Sequence, residues 1–343
     1  MILPYRESHL TLKRIFRVSI FLLAVLAVVF LLALFAGPAS LDVFPVFKGI
    51  FPFSGAHGQL SESARTILFS IRIPRIIFAG IVGASLSCSG VVFQGILRNP
   101  LADPYILGVS GGAAAGAIIA ITLGLDSLPF GVTAVAFIGG ISSILLVWGL
   151  AGSSAERRTD RILLSGVVVN AFFSALIMFL VAVAGNARVQ SVIFWLMGDL
   201  GMAEKKDIVL GALLMVAGFI VMFLHARELN VMLTGEDTAL QLGINVKKTR
   251  MTLLLSASLV TAGAVSMSGI IGFVGLIVPH IARLLFGSDN RLLLPASLLF
   301  GAAFLIVADA IARTVIAPSE LPVGVITALC GAPYFAYLMK RSK

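Results

Sequence analysis

Charge is scarce in this 343-residue chain: Asp, Glu, Lys and Arg together make up 12% of it. A soluble globular protein carries about 25%. With 59% hydrophobic residues and a mean hydropathy of +1.07, the shortfall excludes a disordered chain, a soluble enzyme and a nucleic-acid binder. Cysteine is nearly absent. Cys88 and Cys330 stand in apolar or glycine-rich stretches, outside any CxxC or Cys/His pattern, and read as free thiols in helices. The four histidines, His9, His57, His225 and His280, show no paired spacing and define no metal site. No Gly-Lys dipeptide occurs, so a phosphate-binding loop of the GxxxxGK[ST] type is excluded. No Ser/His/Asp or Cys/His arrangement suggests a catalyst.

What the chain does have is long uncharged runs. A membrane helix needs about 20 apolar residues to cross about 30 Å of hydrocarbon. Nine runs of that order occupy 18–41, 76–97, 104–125, 127–155, 162–187, 208–226, 251–282, 292–308 and 321–339. The first is too long for the apolar region of a cleaved signal and reads as an uncleaved span. The run 251–282 would be about 48 Å long as one helix and is interrupted by Gly269, Gly272, Gly275 and Pro279. It reads as two spans turning near 270–272, the second reaching about Phe286. The count becomes ten. The predicted fold is an all-α polytopic membrane protein with ten transmembrane helices in a single domain over 1–343.

The net charge of +9 then takes on a different meaning. With both termini on one side, the far side holds Lys48, Arg65, Arg72, Arg75, Arg188, Lys205, Lys206 and Arg313, and the near side holds the other 17 basic residues. That bias identifies the near side as cytoplasmic.

Two segments are neither spans nor plain loops. Residues 189–198, VQSVIFWLMG, are too few to cross and read as lying at the outer surface or re-entering. The inner loop 227–250 carries its own helix signals. Thr234 or Gly235 would cap a short helix, Glu236 and Asp237 would sit in its first turn, and Gly243 would end it. An internal repeat is suggested by GASLSCSG at 83–90 and GAVSMSG at 263–269, on spans of opposite direction, the pattern of inverted-repeat transporters.

Charges near the spans leave readings open. Asp309 and Arg313 are one helical turn apart, which allows a local ion pair or an Arg313 that reaches the outer surface to meet a partner. Arg72 and Arg75 flank Pro74, against the overall charge bias. They read either as arginines snorkelling to phosphates or as a docking patch for an acidic protein.

The long motifs narrow these alternatives. SIRIPRIIFAGIVGASLSCSGVVFQGILRNPLADPYILGVSGGAAAG (70–116), LTGEDTALQLGI (233–244), GFVGLIVPHIARLLFG (272–287) and LPASLLFGAAFLIVADAIARTVIAPSELPVGVITALCGAPYFAYLM (294–339) resemble the FecCD/BtuC-type permeases. These are the membrane subunits of ATP-binding-cassette importers for ferric siderophores, haem and vitamin B12. The likeness runs from about residue 65 to 343. The resemblance implies a type II importer permease with an inverted repeat, working as a homodimer in the lipid of the bacterial cytoplasmic (inner) membrane. It implies two ATPase subunits below, which would use ATP and Mg, and a periplasmic or lipoprotein substrate-binding protein outside. No cofactor is expected on this chain.

Residue by residue, the resemblance implies docking of the binding protein at Arg72, Arg75 and Arg313. It implies coupling to the ATPase through Leu233, Gly235, Glu236, Asp237, Thr238, Ala239, Leu242 and Gly243. An inner gate would fall at Arg158, Thr159 and Asp160, where the B12 permease has Ser and Thr instead. Val192, Trp195 and Met197 would border an outer vestibule. A stand-alone ion-coupled secondary transporter is the competing reading. It calls for a charged relay deep in the spans, and 76–97, 104–125 and 162–187 hold no ionisable group except Tyr105.

Overall fold

The computed structural model describes residues 11–38, 61–152, 159–183, 185–201 and 204–341. Among them every regular element is helical. Helix α1 is Leu12–Phe35, α2 Glu62–Ile96, α3 Val109–Thr122, α4 Gly131–Ala151, α5 Thr159–Val183 and α6 Asn186–Met197. Helix α7 is Lys205–Leu224, α8 Ala226–Thr234, α9 Glu236–Gln241, α10 Val246–Ser268, α11 Val274–Phe286, α12 Asn290–Ala312 and α13 Val323–Arg341.

Seven of these, α1, α2, α4, α5, α7, α10 and α12, are long and apolar enough to cross a membrane, and α3, α11 and α13 are shorter apolar helices. Together they make the ten spans. Helix α1 begins six residues before the uncharged run, because Lys13, Arg14 and Arg17 mark a membrane edge without breaking a helix. It is capped by Thr11, whose side chain accepts from the Arg14 amide.

Helix α2 is the centre of the bundle. Val91, Val92 and Phe93 on it are fully buried. Its first third widens into a π-helical stretch, Ile67–Arg72, just ahead of Pro74. Proline supplies no amide hydrogen and crowds the carbonyl four residues back, and a wider turn relieves both. Close approach to α2 depends on glycine. A Cβ on Gly83 would lie 2.2 Å from the Gly301 carbonyl oxygen of α12, and one on Gly90 would lie 1.8 Å from that of Gly275 in α11. Lipid provides no hydrophobic force between helices, so their attraction comes from such backbone-to-backbone packing.

The break inside 251–282 is present. Helix α10 ends at Ser268, α11 starts at Val274, and Gly269 has φ +70°. Span three is broken in the same way, by a 3₁₀ turn at Pro104–Leu107 and a left-handed Gly108. Non-helical backbone at membrane depth must be satisfied by the protein itself, and here the two breaks satisfy one another. The Tyr105 hydroxyl donates to the Ile271 carbonyl (2.7 Å) and accepts from the Ile271 amide (3.1 Å). Asn170 of α5 donates to the carbonyls of Tyr105 and Ile106, both at 3.1 Å, and Ser143 of α4 donates to that of Leu107.

The packing repeats itself. Helix α2 packs on α11 and α12, which pack on each other; α10 packs on α3 and α4, which also pack on each other. This pairing is the one that the inverted repeat suggested by the two small-residue motifs would give.

Candidate functional site

Two assemblies of polar residues sit at opposite ends of the bundle. The first gathers the C-terminal end of α1, the early turns of α2, the end of α12 and the lead-in to α13. Arg75 donates from Nε to Asp309 Oδ1 (2.9 Å) and from Nη1 to Glu320 Oε2 (2.6 Å). Arg313 Nε lies 3.0 Å from Asp309 Oδ2. That is an ion pair, but it is misaligned for a hydrogen bond. Arg72 Nη1 donates to the Leu34 carbonyl (2.6 Å), and Arg313 Nη1 to that of Ala36 (2.8 Å). The last carbonyls of α1, which have no intrahelical partners, are thus capped by two guanidiniums, the charge sign that a helix C-terminus favours.

The three arginines expected at a docking surface are therefore brought together, at sequence separations of more than 230 residues between Arg75 and its acids. They are not an exposed patch, and that part of the expectation is corrected. All three are buried, because Asp309 and the α1 carbonyls attract them inward. The local Asp309–Arg313 pair and the arginine cluster are one object.

At the same end, α6 lies against the bundle. Arg188 donates to the Ile121 carbonyl at the end of α3, and the Asp199 amide donates to that of Ser268 (2.9 Å). Beside α6 opens a cavity of about 570 Å³, lined in part by Trp195, Phe194, Gln190, Leu128, Asp126 and Lys206. Of the three residues expected at a vestibule, Trp195 lines it. Val192 does not: it is fully buried against Ile118 and Ile121, since a helix lying flat on a bundle must bury one face. Met197 is exposed at the end of α6.

The second assembly is α8–α9, as structured as the loop signals implied. Gly235 is the N-cap of α9, at φ +147°, and the Thr234 hydroxyl donates back to Val231 (2.8 Å). At the other end the Gly243 amide bonds to Leu240 and the Ile244 amide to Ala239, both at 3.0 Å, with Gly243 at φ +79°. This is a Schellman ending. Ala239 packs inward with Met232 and Val246. Glu236 pairs with the buried Arg250, and Glu228 accepts from the Thr249 hydroxyl. Arg98 donates to the Met232 carbonyl (2.7 Å), and Asn230 bonds Asp289 (2.7 Å) and Asn290. Burial alone would raise the pKa of Asp289, but the hydrogen bonds from Arg291 and Asn230 outweigh it and hold the carboxyl below its ordinary value. The assembly is thus fixed to α2, α10 and α12, while Leu233, Asp237, Thr238, Leu240 and Leu242 face outward.

The FecCD transport family model matches residues 25–341. The chain belongs to the FecCD transport family. It is 47% identical over 279 residues to the cobalamin import system permease protein BtuC of Halobacterium salinarum, covering 81% of this chain and 74% of that one. It is 38% identical over 302 residues to the hemin transport system permease protein HmuU of Yersinia pestis, covering 83% and 90%. A solved ABC transporter assigned to the metal-chelate type superposes with a TM-score of 0.82 at 31% identity, covering 95% of this chain and 99% of that one.

For a member of this family, the expected inner-gate residues carry the least. Arg158 lies outside the described residues, Thr159 opens α5, and Asp160 is exposed in its first turn, where the helix dipole favours an acid. Sequence reading also missed residues that matter at both ends. Arg250 and Asn230 hold the α8–α9 platform, and Glu320 completes the arginine cluster. Glu320 did leave a trace, as the sole acid after Asp309.

Proposed function

We propose that this chain is the membrane-spanning permease subunit of an ATP-binding-cassette importer. Its cargo would be of the iron-chelate type, a ferric siderophore first, with haem, cobalamin and a molybdate-type oxyanion as the other cargoes in view. The reading is carried by one observation: the family match over 25–341 coincides with a rigid platform, α8–Gly235–α9, that presents leucines outward where no span needs them.

In this reading the chain works as a homodimer in the bacterial cytoplasmic membrane, with both termini in the cytoplasm. Two ATPase subunits seat on the platforms and use ATP and Mg, while this chain binds no cofactor and performs no hydrolysis. A substrate-binding protein docks at the opposite end, over the arginine cluster and the cavity beside α6. Alternating access then closes one end while the other opens, with Thr159 and Asp160 near the inner opening. A stand-alone ion-coupled transporter is less well supported. Among the described residues the buried ion pairs lie at the two ends, where they hold helices together, and form no relay between them.

Two experiments test this. Co-expressed with its ATPase and reconstituted in vesicles, the chain is expected to accumulate radio-iron siderophore only with ATP and the binding protein. Uptake driven by an ion gradient without the ATPase would defeat the proposal, and ATP-driven uptake of cobalamin or haem in place of siderophore would reassign the cargo. Sidedness is tested with single cysteines at Ser61 and Lys248, both exposed. Ser61→Cys is expected to react with an impermeant maleimide from outside the cell, and Lys248→Cys only after the membrane is opened. Labelling of both from one side would defeat the ten-span topology.

A further inference from the structure

We propose that Glu320 is an internal substitute for a partner's carboxylate: an acidic side chain of the docking protein reaches Arg75 by displacing Glu320. The inference rests on the docking reading above and adds the residue that the partner must compete with.

The argument is one of access and charge. The side chains of Arg75 and Asp309 are 9% and 1% exposed, whereas that of Glu320 is 38% exposed. Arg72 and Arg313 are as deeply buried as Arg75 and turn their guanidiniums to the α1 carbonyls. Glu320 is thus the exposed acid of the cluster, and the position of its carboxylate is the way in from solvent to Arg75.

An exchange there is chemically balanced. Arg75 loses one carboxylate at 2.6 Å and gains another, Asp309 keeps its contact, and Glu320 returns to water. Exchange at Asp309 would instead remove the one hydrogen bond Arg75 gives this buried carboxylate and leave it only the misaligned Arg313 pair, which is costly. A neutral or basic partner offers nothing to replace the lost charge-assisted bond, so the arrangement selects for an acidic docking surface. It also lowers affinity, since every docking event must first break an existing pair. The irregular segment 314–321 that carries Glu320 leads into α13, so the exchange loosens the tether of that span to α2.

The probe is the substrate-binding protein that copurifies with the wild-type transporter, isolated, labelled and returned to the full complex in nanodiscs. Glu320→Gln is expected to bind it about tenfold more tightly, mainly through faster association. Arg75→Gln is expected to weaken binding, and Glu320→Gln on that background should add nothing. Should Arg75→Gln fail to insert, Arg75→Lys takes its place. A lysine point charge cannot hold two carboxylates in one fork, and the gain from Glu320→Gln should shrink to about threefold or less. If Glu320→Gln binds no better than wild type while the Arg75 variant binds worse, the competitor role is overturned and docking at Arg75 stands. If the Arg75 variant binds as well as wild type, the docking reading fails and this inference fails with it.

Discussion

Leu242→Asp is expected to abolish ATP-driven transport while leaving the chain folded and in the membrane. Leu242 is 66% exposed at the end of α9, so an aspartate there meets only water in the isolated chain. Its neighbours on the outward side are Leu240 and Leu233, and none of the three serves the packing of the bundle. If the ATPase covers this surface, as proposed, the new carboxylate is driven into an apolar socket. A polar group buried without a partner costs about 3 kcal/mol or more and an unpaired charge costs still more, so coupling should fall by more than about a hundredfold. The measurement is substrate-stimulated ATP hydrolysis and uptake in vesicles at equal amounts of inserted protein. Normal transport by the variant would show that α9 does not transmit the stroke. Gly235→Pro makes a less specific probe. A residue at φ +147° has no counterpart in proline's fixed φ of about −65°, so that change should disrupt the platform itself.

Gly90→Ala is expected to be strongly destabilising, because among the described glycines it shows the shortest approach of an added Cβ to backbone. The new Cβ would lie 1.8 Å from the Gly275 carbonyl oxygen. The obstacle is backbone on a neighbouring helix, so no side chain can swing aside, and α2 and α11 must separate. Overpacking at well-filled sites costs about 1–3 kcal/mol, and a backbone collision belongs at or above the upper end. In a chain of this size about 3 kcal/mol corresponds to a fall in Tm of about 4 °C, readable by size-exclusion of the solubilised protein after heating. The control is Gly149→Ala on α4, where an added Cβ meets nothing within 4 Å, and Tm should hold. Equal Tm for the two variants would mean that the α2–α11 crossing is looser than its geometry.

These predictions draw unequally on sequence and structure. The spans were legible because the rule behind them is one-dimensional. A bilayer sets a minimum apolar length, and charge marks where a run ends. The break between α10 and α11 was legible for the same kind of reason: 32 uncharged residues are too many for one crossing, and the glycines lay where a turn was needed. The α8–α9 platform announced itself through local backbone chemistry, a glycine before two acids and another glycine one short helix later. The matching break at Pro104–Leu107 was not read, because the run 104–125 is long enough to pass as one helix. Only the contact of Tyr105 with Ile271 shows what the irregular turn is for.

The sequence by itself determined that this is a ten-span, all-helical membrane chain with a built knob between two spans and a basic bias to one side, because these follow from length, local composition and chain direction. The tertiary structure alone decided where each charge goes. Arg72, Arg75 and Arg313 read as surface groups when each is seen with its own neighbours in the chain. They are buried because α1, α12 and the stretch before α13 bring carbonyls, Asp309 and Glu320 to them from distant positions. Val192 and Trp195 differ for the same reason, one packed against α3 and the other facing a cavity, although they stand only three positions apart. Burial is a property of non-local neighbours, and a guanidinium is drawn inward only where the fold has already assembled the acids and carbonyls that compensate for the lost water.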